Sequence, residues 1–263
     1  MARSRTLFVG ATLVAATLAG AALAQPSGRE ILETQKDRLG VRDEEQTVSM
    51  ELVDSRGRSR SRTVQMWSLD PEDGQQKLLL VFREPRDVDG TSLLTWEQAD
   101  RDDDQWLYLP SARKEKRIAA GAKRNRFMGT EFTFEDLRGE NLERHDYELV
   151  GEESLDGALC FQVVATPRTE DDQKDSGYSK RLLWIRKDNY VTAGIDYFDR
   201  AGKNVKELRN REIVQLEGGI FRSDLSVMKN LASGAETRLK VLERKIDQGL
   251  DEQHFTLRNL RSL

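Results

Sequence analysis

The chain has 263 residues, 33% of them charged, with 42 Lys and Arg against 46 Asp and Glu for a formal net charge of −4. That mildly acidic balance excludes the strongly basic surface of a nucleic-acid binder. Cys160 is the only cysteine, which excludes an intramolecular disulfide and leaves an exported domain to stand on its apolar core.

Arg3 and Arg5 precede an uncharged run of small and apolar residues at 7–22. Ala22, Leu23 and Ala24 then form a small-x-small site ahead of Gln25 and Pro26. This pattern reads as a secretory signal peptide over residues 1–24, cleaved after Ala24. The run is shorter than the roughly 20 residues of a transmembrane helix. Loss of Arg3 and Arg5 takes the formal charge from −4 to −6. The remainder, 25–263, is long enough for one large β domain or two small ones and is taken as a single domain, and its solvated composition points to a monomer.

Residues 27–39 have helical spacing, with Ile31, Leu32, Gln35 and Leu39 on one face, Ser27 as a cap and Gly40 as a stop. The period then changes to two. Strands are expected at 47–52, 62–69, 77–82, 92–96, 105–109 and 114–118, with turns at 54–57 and 71–74 and a break at Glu84-Pro85. Residues 119–141 are irregular, with one helical turn at 133–137. Strands resume at 147–150 and 159–165 around Asp156-Gly157, a two-residue hairpin signal. A polar loop at 169–177 precedes strands at 180–186, 190–198, 203–209, 212–216, 220–228 and 236–246, and the end suits a short helix.

Ten to twelve strands at hairpin spacing form a long antiparallel meander. Such a sheet either closes into a barrel or curls around something that covers its inner face. The N-terminal helix and residues 119–141 are the expected covers.

Motifs for catalysis and metal binding are missing. His145 and His254 are far apart and flanked by charges, so both read as surface residues with no zinc spacing. Asp100, Asp102 and Asp104 imitate the start of a calcium loop, but Gln105 stands where the turn needs Gly and Ser111 where it needs Glu. Cys160 sits in an alternating apolar strand and reads as an inert buried thiol. No cofactor is implied, and a binder or carrier is favoured over an enzyme.

The stretch 113–137 is the most distinctive. Arg113, Lys114, Lys116, Arg117, Lys123, Arg124 and Arg126 are followed by Phe127, Met128, Phe132, Phe134 and Leu137. "WLYLP" at 106–110, "KRI" at 116–118 and "FMGTEFTFEDL" at 127–137 resemble the periplasmic outer-membrane lipoprotein-sorting, or LolA-like, family. "LDGALCFQV" at 155–163, "YSKRLLWI" at 178–185 and "YFDRAGKNVKEL" at 197–208 agree in order. The resemblance implies a mainly β fold, an unclosed antiparallel β-barrel covered by an N-terminal helix and an irregular lid. It also implies a periplasmic carrier that shelters lipid or lipoprotein acyl chains, without catalysis. An inner-membrane transporter is the implied partner. The alternative is an adaptor that docks onto such an exporter and carries nothing; a third reading is a hydrolase with a cryptic carboxylate site.

An acyl chain leaving the membrane needs apolar walls, at about 0.8 kcal/mol per buried methylene. The expected cavity and lid residues are Trp67, Phe82, Trp96, Trp106, Tyr108, Phe127, Met128, Phe132, Phe134 and Trp184. The seven cations of 113–126 are expected to form a basic rim that makes transient contact with an anionic membrane surface.

Overall fold

A computed structural model describes residues 25–71, 75–98 and 101–262. The leader expected at 1–24, most of the turn at 71–74 and Asp100 lie outside the described residues.

Helix α1 (Gly28–Leu39) begins with a capping box: the Ser27 hydroxyl accepts from the Glu30 N–H, and the Glu30 carboxylate accepts from the Ser27 N–H. Gly40 forms its C-cap. Ile31 and Leu32 are the buried apolar residues of its face. Gly28 lies so close to the backbone of Tyr147 that a Cβ there would stand 2.8 Å from the carbonyl carbon of that residue.

The strands that follow are β1 (Asp43–Val53), β2 (Ser59–Leu69), β3 (Lys77–Glu84), β4 (Ser92–Trp96), β5 (Asp104–Leu109) and β6 (Lys114–Arg117). After the irregular segment come β7 (His145–Leu155), β8 (Ala158–Pro167), the short helix α2 (Glu170–Asp175) and β9 (Lys180–Arg186). The chain continues with β10 (Thr192–Phe198), β11 (Asn204–Gln215), β12 (Phe221–Asn230), β13 (Glu236–Ile246) and a terminal α3 (Leu257–Leu260). Asp156 and Gly157 both have positive φ (48° and 83°), the two-residue turn that joins β7 to β8. The two strands expected at 203–209 and 212–216 are one, β11, which passes Glu212 at φ 52°. The loop expected at 169–177 contains α2, capped by Thr169.

The described residues form one 13-stranded antiparallel sheet, ordered β6-β5-β4-β3-β2-β1-β13-β12-β11-β10-β9-β8-β7. β1 and β13 make its central seam, with Met50 opposite Leu239 and a register shift at Thr47/Val48. β6 and β7 are its two edges and do not pair, so the sheet is unclosed. Residues 118–144 run between these edges.

Alternation gives the sheet two apolar faces. On the inner face Met50, Leu52, Val64, Leu80, Phe82 and Leu93 pack with Phe127 and Phe134 of the crossing segment. Farther round, α1 sets Ile31 and Leu32 on Phe161, Val163, Leu183 and Ile185. On the outer face Trp67, Leu69, Leu79, Val81 and Leu94 are covered by Phe255 and Leu260 of the terminal segment.

Candidate functional site

The crossing segment carries a tight hairpin. The Phe127 N–H donates to the Phe132 carbonyl (2.8 Å) and the Thr130 N–H to the Phe127 carbonyl (2.9 Å). Met128 and Gly129 between them both have positive φ (47° and 76°), the mirror-image turn that glycine favours. The hairpin sends its phenylalanines in two directions. Phe127 is fully buried, stacks on Phe82 at 5.7 Å and meets Phe134 edge-on at 5.4 Å. Phe132 turns to the other half of the sheet and packs with Tyr178, Tyr197 and Met228. Met128 packs partly buried against the first group, and its carbonyl accepts from Arg62 (2.8 Å), whose guanidinium lies over the Phe82 ring. Each aromatic side chain buried this way contributes about 1.5–3 kcal/mol.

Polar pins hold the segment in place. The Glu131 N–H donates to Thr237 Oγ1 (2.9 Å), and Asn230 donates to the Glu131 carboxylate (3.1 Å). Ser176 Oγ and the Gly177 N–H donate to Glu135 (2.6 and 2.8 Å). Asp136 pairs with Lys206 and accepts from Tyr178 (2.9 Å); burial, and then Asp136, raises the Tyr178 and Tyr197 phenols far above their ordinary range. Asp102 from the β4–β5 loop takes Lys123 (2.5 Å), Arg138 (3.1 Å) and Arg144 (3.2 Å).

At the far end of the segment, Arg181 on β9 makes two 2.8 Å bonds to Glu140, and Tyr147 donates to the same carboxylate (2.5 Å). Burial opposes ionisation of Glu140, but Arg181 outweighs it and keeps that carboxyl below its ordinary value. His145 lies against Arg181 (3.1 Å). Burial, with Arg181 second, brings its imidazole down to about 4.

Two adjoining chambers lie beside the crossing segment. An inner one of about 290 Å³ lies under the segment. An outer one of about 400 Å³ opens beside α1. Gln35, Glu140, Thr192 and Asn210 line both, so these four side chains form a collar where the two chambers adjoin. One wall of the inner chamber is apolar, with Leu183, Ile195, Tyr197 and Leu208; the opposite wall carries Glu135, Asp136, Arg138 and Glu140.

The expected cavity residues therefore fall into two groups. Phe82, Phe127, Met128, Phe132 and Phe134 meet on the inner face. Trp67, Trp96, Trp106 and Tyr108 do not: they lie on the outer face, under the terminal segment. Trp96 Nε1 donates there to the Phe255 carbonyl (2.8 Å). Trp184 is also turned outward, packs with Cys160 and Ala193, and donates to Asp196 (3.0 Å). The reason is strand parity. Leu107 and Leu183 take the inner positions of β5 and β9, which sends Trp106, Tyr108 and Trp184 to the other side.

Of the expected rim, Arg113, Lys114, Lys116, Arg117, Arg124 and Arg126 are exposed. Arg117 pairs with Asp104 and Arg126 with Glu131. Lys123 is the correction: it is 2% exposed and bound to Asp102. The histidines also depart from expectation. His145 is half-buried beside Glu140, and His254 packs edge-on to Trp67 at 4.8 Å. Glu140, Arg181 and Asn210 carried no motif. Inward alternation of β9, with Leu183 and Ile185 apolar, is the signal that places Arg181 on the chamber side.

A candidate outer-membrane lipoprotein-sorting domain from Vibrio parahaemolyticus is 31% identical, with 89% of this chain and 98% of that chain covered and a TM-score of 0.84. The chain belongs to the lipoprotein-sorting, LolA-like family. A DUF1329 family protein from Desulfovibrio piger is 27% identical over 89% of this chain and 97% of its own, with a TM-score of 0.82. A LolA superfamily protein from Nitrosomonas europaea, 18% identical, shares the fold at a TM-score of 0.70, with 89% of this chain and 100% of that one covered. A family model described as "Uncharacterized protein"-like matches residues 74–262. No curated protein matches the chain. The fold of the lipoprotein-sorting family, an unclosed antiparallel barrel, is thus the fold described above.

Proposed function

We propose that this member of the family is a periplasmic carrier, exported by the leader at 1–24, that shelters the acyl chains of a lipid or lipoprotein between membranes and performs no catalysis. Residues 25–263 act as one domain and as a monomer. The observation that carries this reading is the phenylalanine hairpin laid across the inner face of an open sheet. Phe127, Phe132 and Phe134 occupy apolar space against both halves of the sheet. They are held by a short turn and a set of polar pins rather than by strand pairing along their length. Withdrawal of the hairpin would expose a lined apolar trough, in which each methylene of an entering chain gains about 0.8 kcal/mol. The exposed cations at 113–126 support brief contact with an anionic surface, and an inner-membrane transporter fits as donor.

One observation favours a second reading. Phe127 already fills its place, as in an adaptor that docks onto an exporter and carries nothing. Native mass spectrometry with lipid extraction, on mature protein taken from the periplasm without detergent, decides between them. Bound lipid that is lost in a still-folded Phe132→Asp/Phe134→Asp variant is the expected result. A clean apo mass, with no uptake from added liposomes, overturns the carrier.

A further inference from the structure

We propose that the collar between the two chambers binds an uncharged, hydroxyl- or amide-rich lipid headgroup, so that the cargo is a phosphate-free polar lipid. This inference rests on the carrier reading and adds the chemical class of the ligand.

The collar is polar where a hydrocarbon path would be apolar. Gln35 gives its amide N–H groups to the Tyr190 carbonyl and to Thr192 Oγ1 (3.0 Å), which leaves its carbonyl oxygen as an acceptor. Asn210 donates to the Thr192 carbonyl (2.8 Å) and accepts from Ser226 (2.7 Å). These bonds fix the two amides in the neck from the sheet side. Glu140 closes the ring from the crossing segment, held by Arg181 and Tyr147. A bare acyl chain drawn through this ring would strip water from the amides without replacing its hydrogen bonds. A hydroxylated headgroup replaces them.

The charge inventory disfavours a phosphate. Each carboxylate on the inner wall already has a partner: Asp103 with Arg138, Asp136 with Lys206, Glu140 with Arg181, and Glu135 with Ser176 and Gly177. Arg144 is held by Asp102 and Asp172. No cation of the inner wall is left over for an anion among the described residues. The outer chamber adds carboxylates. Asp70 and Glu97 stand at its lining, against Lys36 and an Arg222 that Glu44 already holds at 3.0 Å. An anionic headgroup entering there meets Asp70, with Lys36 the one lining cation outside an ion pair among the described residues. Apolar walls for the chains flank the collar on both sides, with Leu183, Ile195 and Leu208 within and Leu32, Leu39, Leu142 and Phe221 beside α1.

The test measures extraction of fluorescent lipid from phosphatidylcholine vesicles into the soluble fraction by the mature chain. Two probes share the same acyl chains: a monoglucosyl diacylglycerol and a phosphatidylglycerol. The glucolipid should be extracted at least about tenfold better, since the phosphate of the other probe would bring an unpaired negative charge to a wall whose cations are already held by carboxylates. Asn210→Leu and, separately, Gln35→Leu should bring the ratio toward one in protein whose circular dichroism shows it still folded. Equal extraction by the unaltered protein, or a preference for phosphatidylglycerol, overturns the headgroup assignment and leaves the carrier standing. Extraction of neither probe overturns both.

Discussion

Burial drives His145 and Glu97 in opposite directions, and each leaves its mark on a different limb of the pH–stability curve. His145 titrates at about 4 in the fold against 6.5 for the free side chain, because burial and then Arg181 disfavour its cation, while Glu140 opposes them. Between these values the unfolded chain holds the proton and the folded chain does not. Stability therefore falls as pH drops from 6.5 to 4, by about 2–3 kcal/mol from this group. Glu97 is raised to about 7 by burial, with Asp103 second. Its folded form binds the proton more tightly, so its contribution is greatest at low pH and is lost as pH rises from 4.5 through 7. Denaturant titrations at several pH values should show a flattened acid limb in His145→Asn and a flattened alkaline limb in Glu97→Gln. An unchanged acid limb in the first variant would mean that His145 is protonated in the fold. Neither effect was legible from the residues alone. His145 stands between Arg144 and Asp146, which suggests solvent, but with Tyr147 and Leu149 it belongs to the inward set of β7.

Helices and strands were more legible than their covers. The α1 cap at Ser27, the Asp156-Gly157 turn and the limits of β4 and β13 all follow from local rules, since each depends on neighbours within a few residues. Local spacing predicts a short helix for the terminal segment but gives no sign that it is a lid. The clue lay in "QWLYL", where Trp106 and Tyr108 alternate with Leu107 and Leu109, so both faces of β5 are apolar and both need cover. What that cover is depends on contacts some 150 residues apart, such as Trp96 to Phe255 and Arg261 to Glu115, which no local pattern encodes. Truncation after Leu250 should therefore uncover three of the chain's four tryptophans at once. Intrinsic fluorescence should shift to the red, with a loss of about 3–5 kcal/mol for the missing Phe255 and Leu260 contacts. Phe127→Ala, on the other face, should destabilise by a similar amount and leave the emission maximum in place. A red shift in both variants would contradict the two-face arrangement.

For the molecule as a whole, the two open edges carry opposite charge. β6 presents Lys114, Lys116 and Arg117 beside Arg113, whereas β7 carries Asp146, Glu148, Glu152 and Glu153. Charged edges resist the edge-to-edge pairing that an unclosed sheet invites. The basic side continues into Arg124 and Arg126, both exposed. Reversal of these two to Glu should weaken binding to anionic vesicles at low salt by tenfold or more, at about 1 kcal/mol for each basic residue near the surface. The difference should vanish in high salt. Equal binding by the reversed and unaltered proteins in a vesicle co-sedimentation assay would remove the basic side from membrane contact.

The seam between β1 and β13 gives the open barrel a last property. It hydrogen-bonds the six strands before the crossing segment to the seven after it, over ten residue pairs. Residues 118–144 are therefore a covalent bridge between two halves that are already stitched together elsewhere. A single protease cut in that bridge would release the clasp of a bracelet without parting its links, so the nicked protein should still sediment as one particle, its two pieces separating only in denaturant.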